Sequence, residues 1–175
     1  MPIILQKDKL QLGLYGRYFN TYFSDNMSNL TTVGAEAPQV RSSWNSYSVG
    51  NTDSWLFRGY FLADTTASNW RFRTTSDDAS YVWIGTNSTA TDTSLNTSNA
   101  VVSNGGLHGT QTRTSSDISL TSGVLYPFAV VIGNNSGPGV LTLEFSSDGG
   151  SSYDNDGEGY FFHNPYASNG YNLDS

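Results

Sequence analysis

The 175-residue chain contains no cysteine. That absence excludes disulfides, thiol nucleophiles and thiolate metal sites, and leaves the fold to its hydrophobic core. Cations are scarce: 8 Lys and Arg stand against 15 Asp and Glu, for a net charge of −7 and an isoelectric point near 4.4. A phosphate-binding surface needs clustered Lys and Arg, so nucleic acid is not expected as a partner. The longest apolar stretch, "GVLYPFAVVIG", is too short to span a bilayer, and no membrane insertion is expected. Long runs of Ala, Leu, Glu and Lys are missing too, and with them the amphipathic helix. The opening "MPIILQKDKLQL" lacks the basic and apolar pattern of a secretory signal. Export by another route, or assembly inside a cell as in phages, is the expectation.

What is abundant points to strands and turns. Glycine (18), tyrosine (11) and phenylalanine (9) are frequent, among many Ser, Thr and Asn. "NWRFRTT" alternates sharply, with Trp70, Phe72 and Thr74 on one face and Arg71 and Arg73 on the other. "GVLTLEF" sets Leu141, Leu143 and Phe145 opposite Val140, Thr142 and Glu144. "SYVWIG" is continuously apolar, which predicts a strand buried on both faces. "GLYGRYFN" reads as a strand packing Tyr15, Tyr18 and Phe19 on the core, and "SWLFRGYFLA" as one aligning Trp55, Phe57 and Tyr60. Short strands are also expected at 100–103, in "SDISL", "YPFAVVIG" and "EGYFFHNP". Residues 24–53 are polar and turn-rich and read as a long surface loop. The sum predicts an all-β, antiparallel β-sandwich in a single domain at 13–165, with an arm or edge strand at 1–12 and a tail at 166–175.

The local sequence "TTSDDASYVWIG" carries the candidate chemistry. Asp77 and Asp78 stand side by side with no cation near them, between two apolar strands. Two like unit charges about 4 Å apart repel by about 1 kcal/mol in water and about 4 kcal/mol at a surface-like dielectric. Either water screens them in a turn, or a cation lies between them. Calcium takes carboxylate, carbonyl and amide oxygens, and "GNNSGPG" (133–139) supplies Asn134, Asn135 and glycine carbonyls. "YDNDGEG", with Asp154, Asp156 and Glu158, lacks full EF-hand spacing and reads as a charged turn. His108 and His163 fall in no metal-ligand pattern. There is no nucleophile elbow and no phosphate-cradling loop, so no enzyme is expected.

The blocks "GLYGRYFN", "WLFRGYFLADTTASNWRFRTTSDDASYVWIG" and "SDISLTSGVLYPFAVVIGNNSGPGVLTLEFSS" resemble the anthrax protective antigen-type domain family, most closely its GLEYA branch of adhesins and flocculins. The resemblance implies a calcium-dependent lectin or adhesin module for a cell-surface glycan. It implies that Asp77 and Asp78 are joined by a cis peptide and hold Ca2+ with Asn134 or Asn135. Sugar hydroxyls would complete the coordination, with Asp77, Asp78, Asn135 and Ser136 as contacts. Independently of the resemblance, sugars stack on Trp and Tyr faces, and Trp44, with Tyr47 and Trp55 in or near the long loop, is a candidate sugar contact. Further contacts are expected in the loops at 40–55 and 104–113. The expected location is extracellular or on a virion surface. The alternative is a virion structural, tail-fibre or decoration protein using the same sandwich as scaffold, with homo-oligomer or virion assembly as its partner relation. The GLEYA pentapeptide is itself absent, "GEGYFF" being the nearest stretch, and the fungal members' disulfides have no counterpart.

Overall fold

The structure, a computed structural model, describes residues 9–30, 36–85 and 95–165. Most of the expected arm (1–8) and the tail (166–175) lie outside the described residues. Among the described residues thirteen strands follow in chain order: β1 Gln11–Leu12, β2 Leu14–Phe19, β3 Glu36–Arg41, β4 Tyr47–Val49, β5 Asp53–Leu62, β6 Ala67–Asp77, β7 Ser80–Ile84, β8 Val102–Asn104, β9 Gln111–Thr114, β10 Ile118–Leu120, β11 Leu125–Asn134, β12 Gly139–Ser146 and β13 Phe161–His163. They form two antiparallel sheets, the sandwich that the alternation predicts. The first runs β1-β13-β5-β11-β7-β8, with β2 and β3 attached beside β5. The second runs β10-β6-β12-β4, with β9 also on β6.

Period-two alternation sets the inner faces. Trp70 and Phe72 of β6, and Leu141, Leu143 and Phe145 of β12, meet Phe57, Phe61, Phe128, Val130 and Ile132 of the first sheet. Phe61 is the hub: its ring packs edge-on against Trp70, Phe72 and Phe145 at centroid distances of 5.4, 5.1 and 5.3 Å. Each such pair adds about 0.5–1.5 kcal/mol beyond area burial. On β5 the inner row is Trp55, Phe57 and Phe61; Tyr60, an even-numbered position, faces the other way and does not join the inter-sheet cluster.

The first sheet is covered outside as well. Phe23, Met27, Leu30 and Leu95 pack over Leu56, Tyr81, Trp83, Ala129 and Val131. This second core explains why β7 and β11 are continuously apolar. It also corrects two expectations. In β2, Leu14 enters the inter-sheet core and Phe19 the outer one, while Tyr15 and Tyr18 are half-buried. The stretch 24–53 is not one surface loop: it holds a 3-10 helix at Met27–Leu30, β3 and β4. Its apolar residues are too widely spaced to show a period, yet Met27 and Leu30 pack in the outer core and Trp44, Tyr47 and Val49 in the inter-sheet one.

The second sheet's outward face is polar. Arg73 forks onto Glu144 (Nε–Oε2 2.6 Å, a second N–H bond 2.9 Å) and lies 3.6 Å above the Tyr153 ring. Arg71 reaches Asp117.

Candidate functional site

At one pole of the sandwich, the segments 50–53, 77–79, 104–109 and 134–138 converge. β6 belongs to the second sheet and β7 to the first, so the chain crosses between sheets at Asp77–Asp78. The Asp77–Asp78 peptide is cis.

Asp78 is 6% exposed. Its carboxylate accepts two main-chain amides, His108 N–H on Oδ1 (2.8 Å) and Asn135 N–H on Oδ2 (2.9 Å). Its carbonyl oxygen accepts the Ser76 hydroxyl (2.7 Å). One side chain therefore ties two loops to the turn, and each carboxylate oxygen keeps a lone pair for another partner. Asp77 is half-buried, and none of the described residues donates to its carboxylate.

Asn134 ends β11 and is 0% exposed. Its Nδ2 donates to the carbonyls of Gly50 (2.8 Å) and Gly137 (2.7 Å), which fixes the amide orientation, since only nitrogen can serve two carbonyls. Its Oδ1 is then a buried acceptor with no partner. The Asn134 side chain and the Asp77 main chain are neighbours: a Cβ built on Gly139 would stand 2.7 Å from Asn134 Cγ and 3.0 Å from the Asp77 carbonyl oxygen. Gly139 thus lets the second loop close on the first. Gly137, at φ +77°, turns its carbonyl toward Asn134.

An orphaned buried oxygen costs roughly 1–3 kcal/mol. That oxygen lies in the loop that closes on Asp77 and Asp78, and a hard divalent cation takes carboxylate, amide and carbonyl oxygens together. Among the described residues no group of three or more His, Cys, Asp or Glu is placed to hold a metal. The candidate donors here are two carboxylates, Asp77 and Asp78, and one amide oxygen, Asn134 Oδ1.

The structure thus brings Asp77, Asp78, Asn134 and Asn135 together. Asn135 and Ser136 are exposed at the tip of the loop. Trp44 is a correction. It is 0% exposed, edge-on to Phe57 and Phe161 at 5.0 and 5.9 Å, so it is a core residue with no face for a ligand. Tyr47, 7% exposed, is likewise core, and Trp55 stacks on Phe57.

Other residues at this pole carry no sequence motif. Asp25 accepts the Tyr81 hydroxyl (2.8 Å) and Gly106 N–H (3.0 Å). The 104–109 loop is therefore held by two carboxylates, Asp25 and Asp78. The His108 ring turns back to the carbonyls of Gly109 and Asn104 (2.9 and 3.4 Å), and Leu107 is left 65% exposed at the tip. The Tyr22 hydroxyl is buried without a partner; burial first, then the Asp25 and Asp78 charges, push its pKa up to about 12. Only the glycine-rich "NGGLHG" signalled a loop here.

Similar solved structures share this sandwich. The PA14 domain of the antifreeze protein MpAFP aligns with a TM-score of 0.69 at 17% identity, over 92% of this chain and 97% of that one. The A domain of epithelial adhesin 6 from Candida glabrata, solved with Galβ1-3GlcNAc, aligns with a TM-score of 0.67 at 15% identity, over 87% of each chain. A PA14 sugar-binding domain from an RTX adhesin aligns with a TM-score of 0.61 at 17% identity, over 86% of this chain and 95% of that one. Among curated protein sequences, none matches the chain. The family model of the GLEYA domain matches residues 54–147, from β5 through β12 and including both loops of the site. That is more than half of its length, and the chain belongs to the GLEYA domain family.

Proposed function

We infer that this chain is a carbohydrate-binding adhesin module that recognises a cell-surface glycan through a calcium ion. The observation that carries this reading is the unpaired Oδ1 of buried Asn134 beside the adjacent Asp77 and Asp78. In it, Asp77, Asp78 and Asn134 hold the ion, which supplies a fixed positive charge for sugar hydroxyls. Asn135 and Ser136 at the loop tip, and Leu107 across from them, border the sugar. Membership of the GLEYA family supports the reading, as do sandwich neighbours solved with galactosides. No helix among the described residues is long and apolar enough to cross a membrane. An extracellular or surface-displayed location follows from the adhesin reading.

The test is a thermal melt of the purified chain in calcium and in chelator, followed by titration with a Galβ1-3GlcNAc disaccharide and lactose. Calcium raises the midpoint by mass action. Asp77→Ala and Asp78→Ala both abolish that rise. In chelator, Asp78→Ala also lowers the midpoint, because two partly buried main-chain amides lose their charged acceptor at about 1–3 kcal/mol, whereas Asp77→Ala does not. A wild-type midpoint indifferent to calcium would sink the lectin reading and return the virion scaffold as the better account.

A further inference from the structure

The Asp77–Asp78 turn rests on a chain of polar side chains buried between the sheets. Thr74, Ser76 and Ser80 are 0% exposed and Asn104 is 1% exposed. Asn104 Nδ2 donates to the Ser76 hydroxyl oxygen (2.9 Å) and to the Gln111 carbonyl (3.1 Å). Ser76 passes its own proton to the Asp78 carbonyl (2.7 Å). Ser80 Oγ stands 2.7 Å from Ser76 Oγ and donates to Thr74 Oγ1 (2.8 Å).

We propose that Asn104 is a positioning residue of the cation site, acting on Asp78 from both sides. This rests on the reading that the aspartates hold a cation. The first path is the main chain. A hydroxyl has one proton. Ser76 can commit it to the Asp78 carbonyl while Asn104, a donor at Nδ2, occupies the Ser76 oxygen. The second path is the loop. Asn104 closes β8 opposite Ser80, and its carbonyl faces the His108 ring, whose main-chain N–H holds Asp78 Oδ1. The Asp78 carbonyl and carboxylate are therefore both referred to one residue, the first through the Asn104 side chain and the second through its main-chain carbonyl.

Asn104 Oδ1 is buried and unpaired. An apolar side chain of that size would avoid this cost, so packing does not explain an amide here. Its nitrogen does: it joins β6, β8 and β9 behind the turn. Groups that orient the ligands of a metal typically change affinity 10–100-fold when removed.

The experiment titrates calcium calorimetrically into the chelator-stripped full chain. The variants are Asn104→Ala, Ser76→Ala, the double variant, and Thr112→Ala as a control on the exposed Thr75–Thr112 hydroxyl pair. Chelator melts run in parallel. Each single variant is expected to raise the calcium Kd about 10-fold or more. The double variant is expected to be no weaker than the weaker single, because both cut one path. Thr112→Ala leaves Kd unchanged. A lower chelator melt for Asn104→Ala with an unchanged Kd would mean a merely structural amide and overturns the proposal. Should Asn104→Ala fail to fold, an unchanged Kd in Ser76→Ala overturns it equally. Absence of heat in wild type overturns the cation reading itself, an outcome separate from either.

Discussion

At the residue scale, burial decides which polar and aromatic groups can act. Asn134 and Asn135 are indistinguishable as a pair of letters. The strand end buries Asn134 at 0% exposure with a free oxygen, and the turn exposes Asn135, whose main-chain N–H goes to Asp78. Trp44 shows the opposite lesson. A tryptophan in a polar stretch suggests a stacking platform, yet its ring is wedged between Phe57 and Phe161. Trp44→Ala should therefore cost about 3–5 kcal/mol in a urea titration, the usual price of emptying a large aromatic site. The calcium-dependent rise in midpoint should survive at a temperature where the variant is folded. Loss of sugar affinity with no loss of stability would contradict a core role.

At the element scale, β6 joins the two halves of the molecule. Its inner face carries Trp70, Phe72 and Thr74, its outer face Arg71 and Arg73, and its last residue is Asp77. The alternation was legible in "NWRFRTT"; the partners of the arginines were not, because Glu144 lies 71 positions away. Arg73 makes a two-bond fork with Glu144 under the Tyr153 ring, whereas the Arg71–Asp117 pair is open to water. Forked, partly buried pairs outweigh exposed ones. Arg73→Lys keeps the charge but loses the fork, and should lower stability by about 1 kcal/mol by chemical denaturation. Arg71→Ala should leave the midpoint unchanged within error. Equal effects would show that only charge matters on this face. The strands β3 and β4 were hidden in 24–53 because β3 lies on an edge and β4 is three residues long, which leaves almost no period to read.

At the scale of the whole molecule, the tyrosines set an alkaline limit. Tyr22 and Tyr160 are held at about 12, in both cases first by burial; the Asp25 and Asp78 charges add at Tyr22, and the bond to Asp64 adds at Tyr160. Burial also raises Tyr47 and Tyr81, the latter reinforced by its hydrogen bond to Asp25. The neutral phenol is favoured in the fold, while the unfolded chain ionises near 10. Between about pH 10 and 12 the unfolded state binds fewer protons, so stability falls as pH rises. Below pH 10 this contribution is complete. Urea midpoints should be flat from pH 8 to 9.5 and drop above 10, and Tyr160→Phe should make that drop shallower. A flat profile to pH 12 would contradict buried, neutral tyrosines.

Legible in the letters alone were the fold class, the inner rows of β6 and β12, the two-sided burial of β7, and two of the four segments that converge at the candidate site. Each of these is local: a period of two, an unbroken apolar run, an adjacent acid pair, a glycine-rich turn. Tertiary structure alone decided that Asn134 offers the free oxygen, that Trp44 is core, and that Asp25, Tyr22, Asn104 and the 104–109 loop surround Asp78. The hydrogen bonds that gather these loops join residues 28 to 81 positions apart. They come from the crossing of β6 into β7, which gathers loops of both sheets at one pole.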